Sequence, residues 1–140
     1  MGTKYSMPEM TEDYGQVDVW RISKEFHFSY SHQLHGLEEC HPCSRVHGHN
    51  GILVVELEGV GELNEAGFVR DYRELSPVKE FIDENVDHYH LNDVFDFQPS
   101  SENIAKWFYH YIRSELNFPN LARVGWSETP KTWCWYEEAR

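Results

Sequence analysis

Residues 20–32 read WRISKEFHFSYSH, and this stretch decides the fold class. Large apolar side chains occupy most of its even-numbered positions, whereas the odd-numbered positions from Arg21 to Ser31 are polar. An alternation with period two is typical of a β-strand that buries one face. His32 continues the apolar face at the end of this strand.

A second strand is predicted to begin at His47, after a polar loop over residues 33–46. Odd-numbered residues of this strand share one face: His47, His49, Leu53, Val55 and Leu57. Residues 59–61, Gly-Val-Gly, end the strand. Residues 67–69 are interpreted either as a short further strand or as the approach to a helix.

Two helices and two more strands are predicted after this hairpin. Ser76 and Pro77 mark the start of the first helix, with Ser76 as a capping hydroxyl. The second helix follows Pro99 and Ser100 and carries an apolar stripe at helical spacing. Strands are predicted over residues 124–128 and 132–136. Consecutive strands without a crossover helix favour antiparallel pairing, so the expected fold class is α+β.

The composition indicates one folded domain. The chain has 140 residues, of which 40% are hydrophobic, and this is enough to build a core in a domain of ordinary size. Residues 1–16 lack a periodic apolar pattern and are expected to form an N-terminal tail. Residues 17–140 are expected to form a single domain.

Charge and cysteine content exclude several functions. A net charge of −12 repels phosphate backbones, so no nucleic acid is expected as a partner. No apolar run is long enough for a membrane span, and the N-terminus lacks the apolar core of a secretory signal. The three cysteines are too few for a disulfide framework, which favours the reducing cytoplasm.

His47 and His49 are the sharpest chemical signal. Two histidines at positions i and i+2 of a strand point to the same face, and Gly48 leaves no side chain between them. If the first two strands pair as a hairpin, His32 comes to lie beside both. Three neutral imidazoles with an open fourth position are typical of a catalytic zinc site.

Two other interpretations of these histidines stay open on the residues alone. The three side chains could only pack and form hydrogen bonds. Alternatively, Cys40 and Cys43 could join His47 and His49 in a closed Cys2His2 structural zinc site. That second interpretation leaves His32 without a role.

Three further positions are candidates for proton transfer or substrate binding. Cys43 lies between the predicted ligand segments and could be a reactive thiolate or an inert small side chain. Asp87 and His88 could form an acid–base pair or a solvated helix end. Glu128 falls on the apolar face of its strand, where a carboxylate is costly unless it is paired. It could accept two hydrogen bonds from a guanine-like or pterin edge, or form a salt bridge with Arg or Lys.

Taken together, these motifs resemble the 6-pyruvoyltetrahydropterin synthase/6-carboxytetrahydropterin synthase family. The similar segments follow the family's order and span about residues 17–136. They are FSYSHQL at 28–34, CSRVHGHN at 43–50, GFVRDYREL at 67–75, DHYHLN at 87–92, PSSEN at 99–103, and Glu128 with Thr129. The sequence departs from the family's pattern at Gly51, where an aromatic residue is usual, and at the bulky run Trp133, Cys134, Trp135.

The resemblance implies the tunnelling fold, a four-stranded antiparallel sheet with two helices on one face. It also implies a homo-oligomer, a hexamer built as a dimer of trimers, whose subunits join their sheets into a barrel with active sites at subunit interfaces. The residue roles that it implies are Zn²⁺ binding by His32, His47 and His49, catalysis by Cys43, Asp87 and His88, and pterin binding by Glu128 and Thr129.

The three-residue gap between Cys43 and His47 resembles the bacterial 6-carboxytetrahydropterin synthases of queuosine and 7-deazaguanine biosynthesis. The implied activity is a zinc-dependent lyase that converts 7,8-dihydroneopterin triphosphate to 6-carboxy-5,6,7,8-tetrahydropterin, with release of acetaldehyde and triphosphate. One alternative is the pyruvoyl-forming reaction of the tetrahydrobiopterin branch on the same substrate. An alternative from another class is a non-catalytic zinc-binding module.

Overall fold

The computed structural model describes residues 2–8 and 16–139. This part of the chain contains five strands and three α-helices, with short 3-10 turns before β2 and α1 and a π-turn after α3. The strands are β1 (Val19–His32), β2 (His47–Val60), β3 (Tyr89–His90), β4 (Leu121–Thr129) and β5 (Thr132–Tyr136). The helices are α1 (Ser76–Asn85), α2 (Leu91–Val94) and α3 (Ser101–His110).

The predicted N-terminal tail is only partly described. Residues 2–8 are exposed and contain neither helix nor strand. Residues 1 and 9–15 of that tail lie outside the described residues. The division into a tail over 1–16 and a domain over 17–140 therefore stays a prediction.

The two long strands pair as the hairpin that the sequence predicts. β1 and β2 are antiparallel along their whole length, and the register places Tyr30 opposite His49 and His32 opposite His47. The apolar face of β1 is buried from Phe26 to His32. The hairpin therefore brings the histidines of the two strands to one end of the sheet.

The sheet has five strands in the order β3-β1-β2-β4-β5, so the expected four-stranded antiparallel sheet is wrong in two respects. The additional strand β3 has two residues, and it runs parallel to β1. A strand this short carries no alternation that a sequence pattern could reveal. The pairings β1–β2, β2–β4 and β4–β5 are antiparallel as expected.

The helices bury their apolar sides against one face of the sheet. Side chains of α1 and α3 join those of β1, β2 and β4 in a single core. α3 begins directly after Pro99 and Ser100 as predicted, and the Ser100 side chain caps it by accepting a hydrogen bond from the Asn103 amide at 3.2 Å. Residues 67–69 form a turn that leads through the 3-10 turn Tyr72–Leu75 into α1, so the second of the two interpretations is correct.

The predicted capping role of Ser76 is wrong. Leu75 is the residue before the first helical position of α1, and no side chain caps this helix. The physical reason is the preceding 3-10 turn: the Ser76 amide already donates to the Arg73 carbonyl, so Ser76 lies inside continuous helical structure. Pro77 lies in the first turn of α1 as expected.

Gly51 explains one departure from the family's pattern. It lies opposite Phe28 in the β1–β2 register. A Cβ atom at this position would lie 2.6 Å from Phe28 Cε2 and 2.8 Å from Tyr30 Cε1. The rings of Phe28 and Tyr30 also pack on Trp126, with centroids 4.9 and 5.3 Å away. These neighbouring rings fill the space that an aromatic residue at position 51 would take.

We expect Gly51→Ala to lower the free energy of unfolding by about 1–3 kcal/mol, because the added methyl group overpacks the rings of Phe28 and Tyr30. Urea unfolding measures this effect. The double variant Gly51→Ala/Phe28→Leu should recover part of the loss. Gly2→Ala is the matched control, since a Cβ there meets nothing within 4 Å. An unchanged unfolding midpoint for Gly51→Ala would contradict this account of the core.

Candidate metal and substrate site

Three histidines meet at the end of the β1–β2 hairpin. His32 ends β1, and His47 and His49 begin β2 on the same face. One ring nitrogen of each lies within 4.8 Å of those of the other two. His32 is fully buried, and the other two are half-buried. The structure therefore brings the three predicted ligands together, and this cluster could hold a metal ion.

Backbone carbonyls determine which ring nitrogen of His32 and His47 carries a proton. The Nδ1 atom of His32 lies 2.8 Å from the Pro99 carbonyl, and the Nδ1 atom of His47 lies 2.7 Å from the Arg45 carbonyl. A carbonyl oxygen can only accept, so each Nδ1 donates a proton. In the neutral rings both Nε2 atoms are then unprotonated.

These two unprotonated nitrogens face each other across 2.9 Å. Two neutral rings that both carry their proton on Nδ1 cannot form a hydrogen bond through Nε2, because neither nitrogen has a proton to donate. A cation between them would remove the repulsion between the lone pairs. Metal-bound histidines commonly donate their other ring N–H to a carbonyl or carboxylate, as His32 and His47 do here.

His49 supplies the third nitrogen. Its Nε2 atom is buried and has no hydrogen-bond partner. A buried polar atom without a partner is costly, and binding a metal would satisfy it. Burial holds the pKa of His49 and of His32 below the ordinary value of 6.5, although nearby Glu128 acts in the opposite direction. The donor set fits a metal ion, since neutral imidazoles are the ligating form.

The aromatic ring of Tyr30 packs against two of the three clustered histidines. The Tyr30 ring lies 5.3 Å from the His32 ring and 5.5 Å from the His49 ring, measured between centroids. Its hydroxyl accepts a hydrogen bond from Trp126 Nε1 at 3.2 Å. Burial, with a smaller effect of Glu128, raises the pKa of Tyr30 far above its ordinary value, so this hydroxyl stays protonated.

Glu128 is the one carboxylate close to the histidines among the described ion pairs. Its oxygens lie 3.7 Å from His32 Nε2 and 3.7 Å from His49 Nε2. Its side chain is 23% exposed, so it faces both the cluster and the solvent. Thr129 lies further along at the β4–β5 turn, where its hydroxyl is 2.9 Å from that of Thr132. The substrate-binding roles of both residues stay predictions.

Cys40 and Cys43 do not join the histidine cluster. In the described part of the chain, His32, His47 and His49 form the only group of three or more potential ligands close enough to share an ion. Cys40 is exposed and its thiol points to Glu38, 3.7 Å away. The alternative Cys2His2 site is therefore wrong.

Cys43 is nevertheless tied to the same end of the hairpin. Its carbonyl accepts a hydrogen bond from the Leu34 amide at 3.0 Å, two residues beyond the ligand His32. Its side chain is half-buried in the turn Pro42–Ser44. Its amide donates to His41 Nδ1 at 3.1 Å, and no described contact links Cys43 to His32, His47 or His49.

Asp87 and His88 form a pair held on the edge of β1. The Asp87 carboxylate accepts a hydrogen bond from the Ser29 amide at 2.9 Å, and His88 Nδ1 lies 3.1 Å from the same oxygen. The His88 amide donates to the Ser29 carbonyl at 2.6 Å. His88 has a φ of 67°, in the left-handed region, and its side chain is 81% exposed.

The Asp87–His88 pair contacts the edge of β1 and not the histidine cluster, as far as the described residues show. His88 lines a pocket of about 400 Å³ with Ser29, Ser31 and His90. Ser29 and Ser31 project from the face of β1 opposite to His32, because neighbouring side chains of a strand alternate. Among the described residues, no contact joins His88 to the three clustered histidines of the same protomer.

Sequence reasoning missed the side chains that position the site. The Asn92 amide group exchanges two hydrogen bonds of 2.8 Å with the backbone of Gln33. The Gln98 amide group exchanges bonds of 2.6 and 3.0 Å with the backbone of His35. Both fix the chain just after His32. Asn92 belongs to a recognised motif, whereas no pattern in the sequence distinguishes Gln98.

The fold and the site define a protein with three histidines that could hold a metal ion, at the end of an antiparallel hairpin where residues 33–46 connect the two strands. The family profile described as 6-pyruvoyl tetrahydropterin synthase matches residues 21–139. The chain belongs to this family, which confirms the identification from sequence motifs and places it among lyases of the pterin synthase kind.

Individual proteins agree with this result. The chain is 32% identical over 128 residues to 6-carboxy-5,6,7,8-tetrahydropterin synthase of Bacillus subtilis, covering 84% of each chain. It is 36% identical to the Synechocystis protein of the same name, covering 79% of this chain and 88% of the relative. The solved 6-pyruvoyl tetrahydropterin synthase of Caenorhabditis elegans superposes with a TM-score of 0.76 at 26% identity, covering 87% and 97%. No helix among the described residues is long and apolar enough to cross a membrane.

We expect replacement of His32, His47 or His49 by Ala to reduce bound metal well below that of the wild type, because each removes one of three converging nitrogens. Elemental analysis after dialysis measures this. His27→Ala is the matched control, since His27 lies on the exposed face of the same strand. Cys40→Ala should also retain the metal. Metal loss in Cys40→Ala together with full retention in His32→Ala would refute the three-histidine site.

Proposed function

We propose that this protein is a zinc-dependent, cytoplasmic 6-carboxy-5,6,7,8-tetrahydropterin synthase of queuosine and 7-deazaguanine biosynthesis. It converts 7,8-dihydroneopterin triphosphate to 6-carboxytetrahydropterin, with release of acetaldehyde and triphosphate. The observation that carries the proposal is the convergence of three imidazole nitrogens beside one carboxylate. Similarity to two proteins of that name supports the choice of reaction.

His32, His47 and His49 are the residues that would hold Zn²⁺. When bound there, the metal supplies Lewis acidity to the side-chain hydroxyls of the substrate. The chain's own contribution is orientation, since the Pro99 and Arg45 carbonyls direct two of the rings. The buried side chains of Tyr30 and Trp126 limit the access of water to the histidines from the protein core.

Glu128 would orient the pterin. A carboxylate can accept two parallel hydrogen bonds from the 2-amino group and N3–H of a pterin, and this edge is absent from adenine-like rings. Thr129, the next residue, is proposed to line the same part of the pocket.

Cys43 would take a proton from the side chain of the substrate. A thiol near a metal ion and several imidazoles loses its proton more easily, and the thiolate can then act as a base. Asp87 and His88 would transfer the remaining protons, with Asp87 orienting the His88 ring across the 3.1 Å contact.

Because no described contact joins His88 to the histidine cluster of its own chain, we assign it to the active site of a neighbouring subunit. The sheet supports such an assembly at both edges. β5 is an edge strand, and β3 covers only residues 30 and 31 of β1, so most of the other edge of β1 has no strand partner among the described residues. Unpaired strand edges can pair with another chain. A barrel of joined sheets, stacked as a hexamer, would bring the two half-sites together.

The pyruvoyl-forming reaction on the same substrate is the second candidate. The structural likeness to the Caenorhabditis elegans 6-pyruvoyl tetrahydropterin synthase favours it. The two reactions differ in whether a carbon–carbon bond breaks. Product identity therefore separates them.

Mass spectrometry of the products formed from 7,8-dihydroneopterin triphosphate tests the proposal. We expect 6-carboxytetrahydropterin and acetaldehyde from the wild type, and at least ~10²-fold slower release of acetaldehyde from Cys43→Ala, with metal and fold retained, because general base catalysis is lost. Cys134→Ala is the control. A pyruvoyl product would select the second candidate, and no turnover would favour a non-catalytic zinc module.

Mixing two inactive variants tests whether subunits share active sites. Cys43→Ala and His88→Ala are each expected to be inactive alone. After mixing, unfolding and refolding at equal amounts, about one quarter of the sites should carry both native residues, if subunits combine at random. Recovered activity near that fraction supports a shared site. No recovery, with oligomers that refold, would place both residues in one subunit.

A further inference from the structure

Cys43, the residue proposed to take a proton from the substrate, lies in a loop between two strands. It is the middle residue of the 3-10 turn Pro42–Ser44, between β1 and β2. The hydrogen bonds described for Cys43 involve its amide and its carbonyl. A reacting group must be placed precisely, because a displacement of about 1 Å can cost ~10²-fold in rate. The groups that hold the backbone of Cys43 therefore decide where its thiol acts.

His41 holds this turn through its backbone and through its side chain. Its Nδ1 atom accepts a hydrogen bond from the Cys43 amide at 3.1 Å. Its amide donates to the Glu38 carbonyl at 2.9 Å, and its carbonyl accepts from the Ser44 amide at 3.0 Å. The Ser44 hydroxyl donates to the same carbonyl at 2.7 Å. The imidazole thus adds a bond to the one amide of the turn that belongs to Cys43.

Pro42 gives His41 the backbone conformation that this bond requires. A proline disfavours the helical region for the residue before it, and His41 accordingly has φ −70° and ψ 131°. A residue that precedes a helical turn in such an extended conformation can accept, with its side chain, from the amide two residues further on. The tripeptide His41-Pro42-Cys43 therefore contains the cap, the residue that orients the cap, and the residue that is capped.

This contact distinguishes His41 from a histidine that only lies on the surface. His35 lies in the same loop and is also exposed. In the described part of the chain, the hydrogen bonds of His35 involve only its backbone. Because His41 Nδ1 accepts a hydrogen bond, the neutral His41 ring carries its proton on Nε2. The two exposed histidines of this loop thus differ in whether the imidazole is bonded.

We propose that His41 is a positioning residue for the thiol of Cys43: its Nδ1 atom caps the Cys43 amide and fixes the backbone from which the thiol reaches the substrate. The proposal rests on the proposed function for the catalytic role of Cys43, whereas the cap itself does not depend on it. His41 touches neither substrate nor metal in this account. Its loss should therefore lower kcat and leave KM and bound metal unchanged.

Hydrogen exchange of the Cys43 amide, measured by NMR on the full chain, tests the cap. His41→Ala should speed this exchange by about 2- to 30-fold, which is the population change expected for the loss of one capping bond. His41→Asn should keep the wild-type exchange rate, because asparagine is among the best capping residues. His35→Ala is the matched control. Equal exchange rates in wild type and His41→Ala would overturn the proposal.

Steady-state kinetics with 7,8-dihydroneopterin triphosphate test whether the cap positions the thiol. We expect His41→Ala to lower kcat by about 2- to 30-fold, with unchanged KM and zinc content, and His41→Asn to restore kcat. Wild-type kcat in His41→Ala, together with faster exchange, would overturn the positioning role and leave the proposed function intact. A raised KM or a lower zinc content would indicate general loosening of the loop that leads into His47, and would also overturn the positioning role.

The wild type alone gives a third test, which does not depend on the folding of any variant. In the neutral His41 ring, Nδ1 should be unprotonated and Nε2 protonated, and 15N chemical shifts distinguish these states. A proton on Nδ1 would overturn the cap. Absence of product from the wild type would overturn the proposed function and the catalytic part of this proposal, while exchange and tautomer would still decide whether His41 caps Cys43.

Discussion

Two backbone carbonyls, those of Pro99 and Arg45, direct the imidazoles of His32 and His47 toward each other. Each carbonyl accepts a hydrogen bond from Nδ1–H, which leaves the Nε2 lone pair of each ring directed at a common point. Without a cation this arrangement is repulsive, because the two nitrogens are 2.9 Å apart. The geometry of this candidate metal site therefore depends on the loops that carry the two carbonyls as well as on the three histidines.

The two carbonyls keep their positions because hydrogen bonds fix the loops that carry them. Next to Pro99, the Gln98 side chain binds the backbone of His35, and Asn103 Nδ2 donates to the Gln98 carbonyl at 2.9 Å. Arg45 follows a 3-10 turn, and its amide donates to the Pro42 carbonyl at 3.3 Å. Binding of a metal would add to these bonds, so occupancy and the order of both loops should be coupled.

The hairpin and the histidine trio could be predicted because period-two alternation fixes which residues share a face. His32, His47 and His49 all end or begin an apolar face, so pairing of two strands was sufficient to bring them together. The parallel strand Tyr89–His90 could not be predicted, because it exists only through its pairing with β1. The contacts of the Pro99 and Arg45 carbonyls could not be predicted either, because every residue has a backbone carbonyl. The separation of His88 from the cluster likewise depends on which edge of β1 carries it, and local sequence does not determine this.

The most direct test of this account is 15N NMR of the imidazole rings in the zinc-loaded protein. Nitrogen chemical shifts distinguish a protonated, a metal-bound and a free ring nitrogen, and so they report the tautomer of each ring directly. We predict that His32 and His47 both bind zinc through Nε2 and both carry a proton on Nδ1. A proton on Nε2, or zinc bound to Nδ1, in either ring would contradict the central role of the two carbonyls.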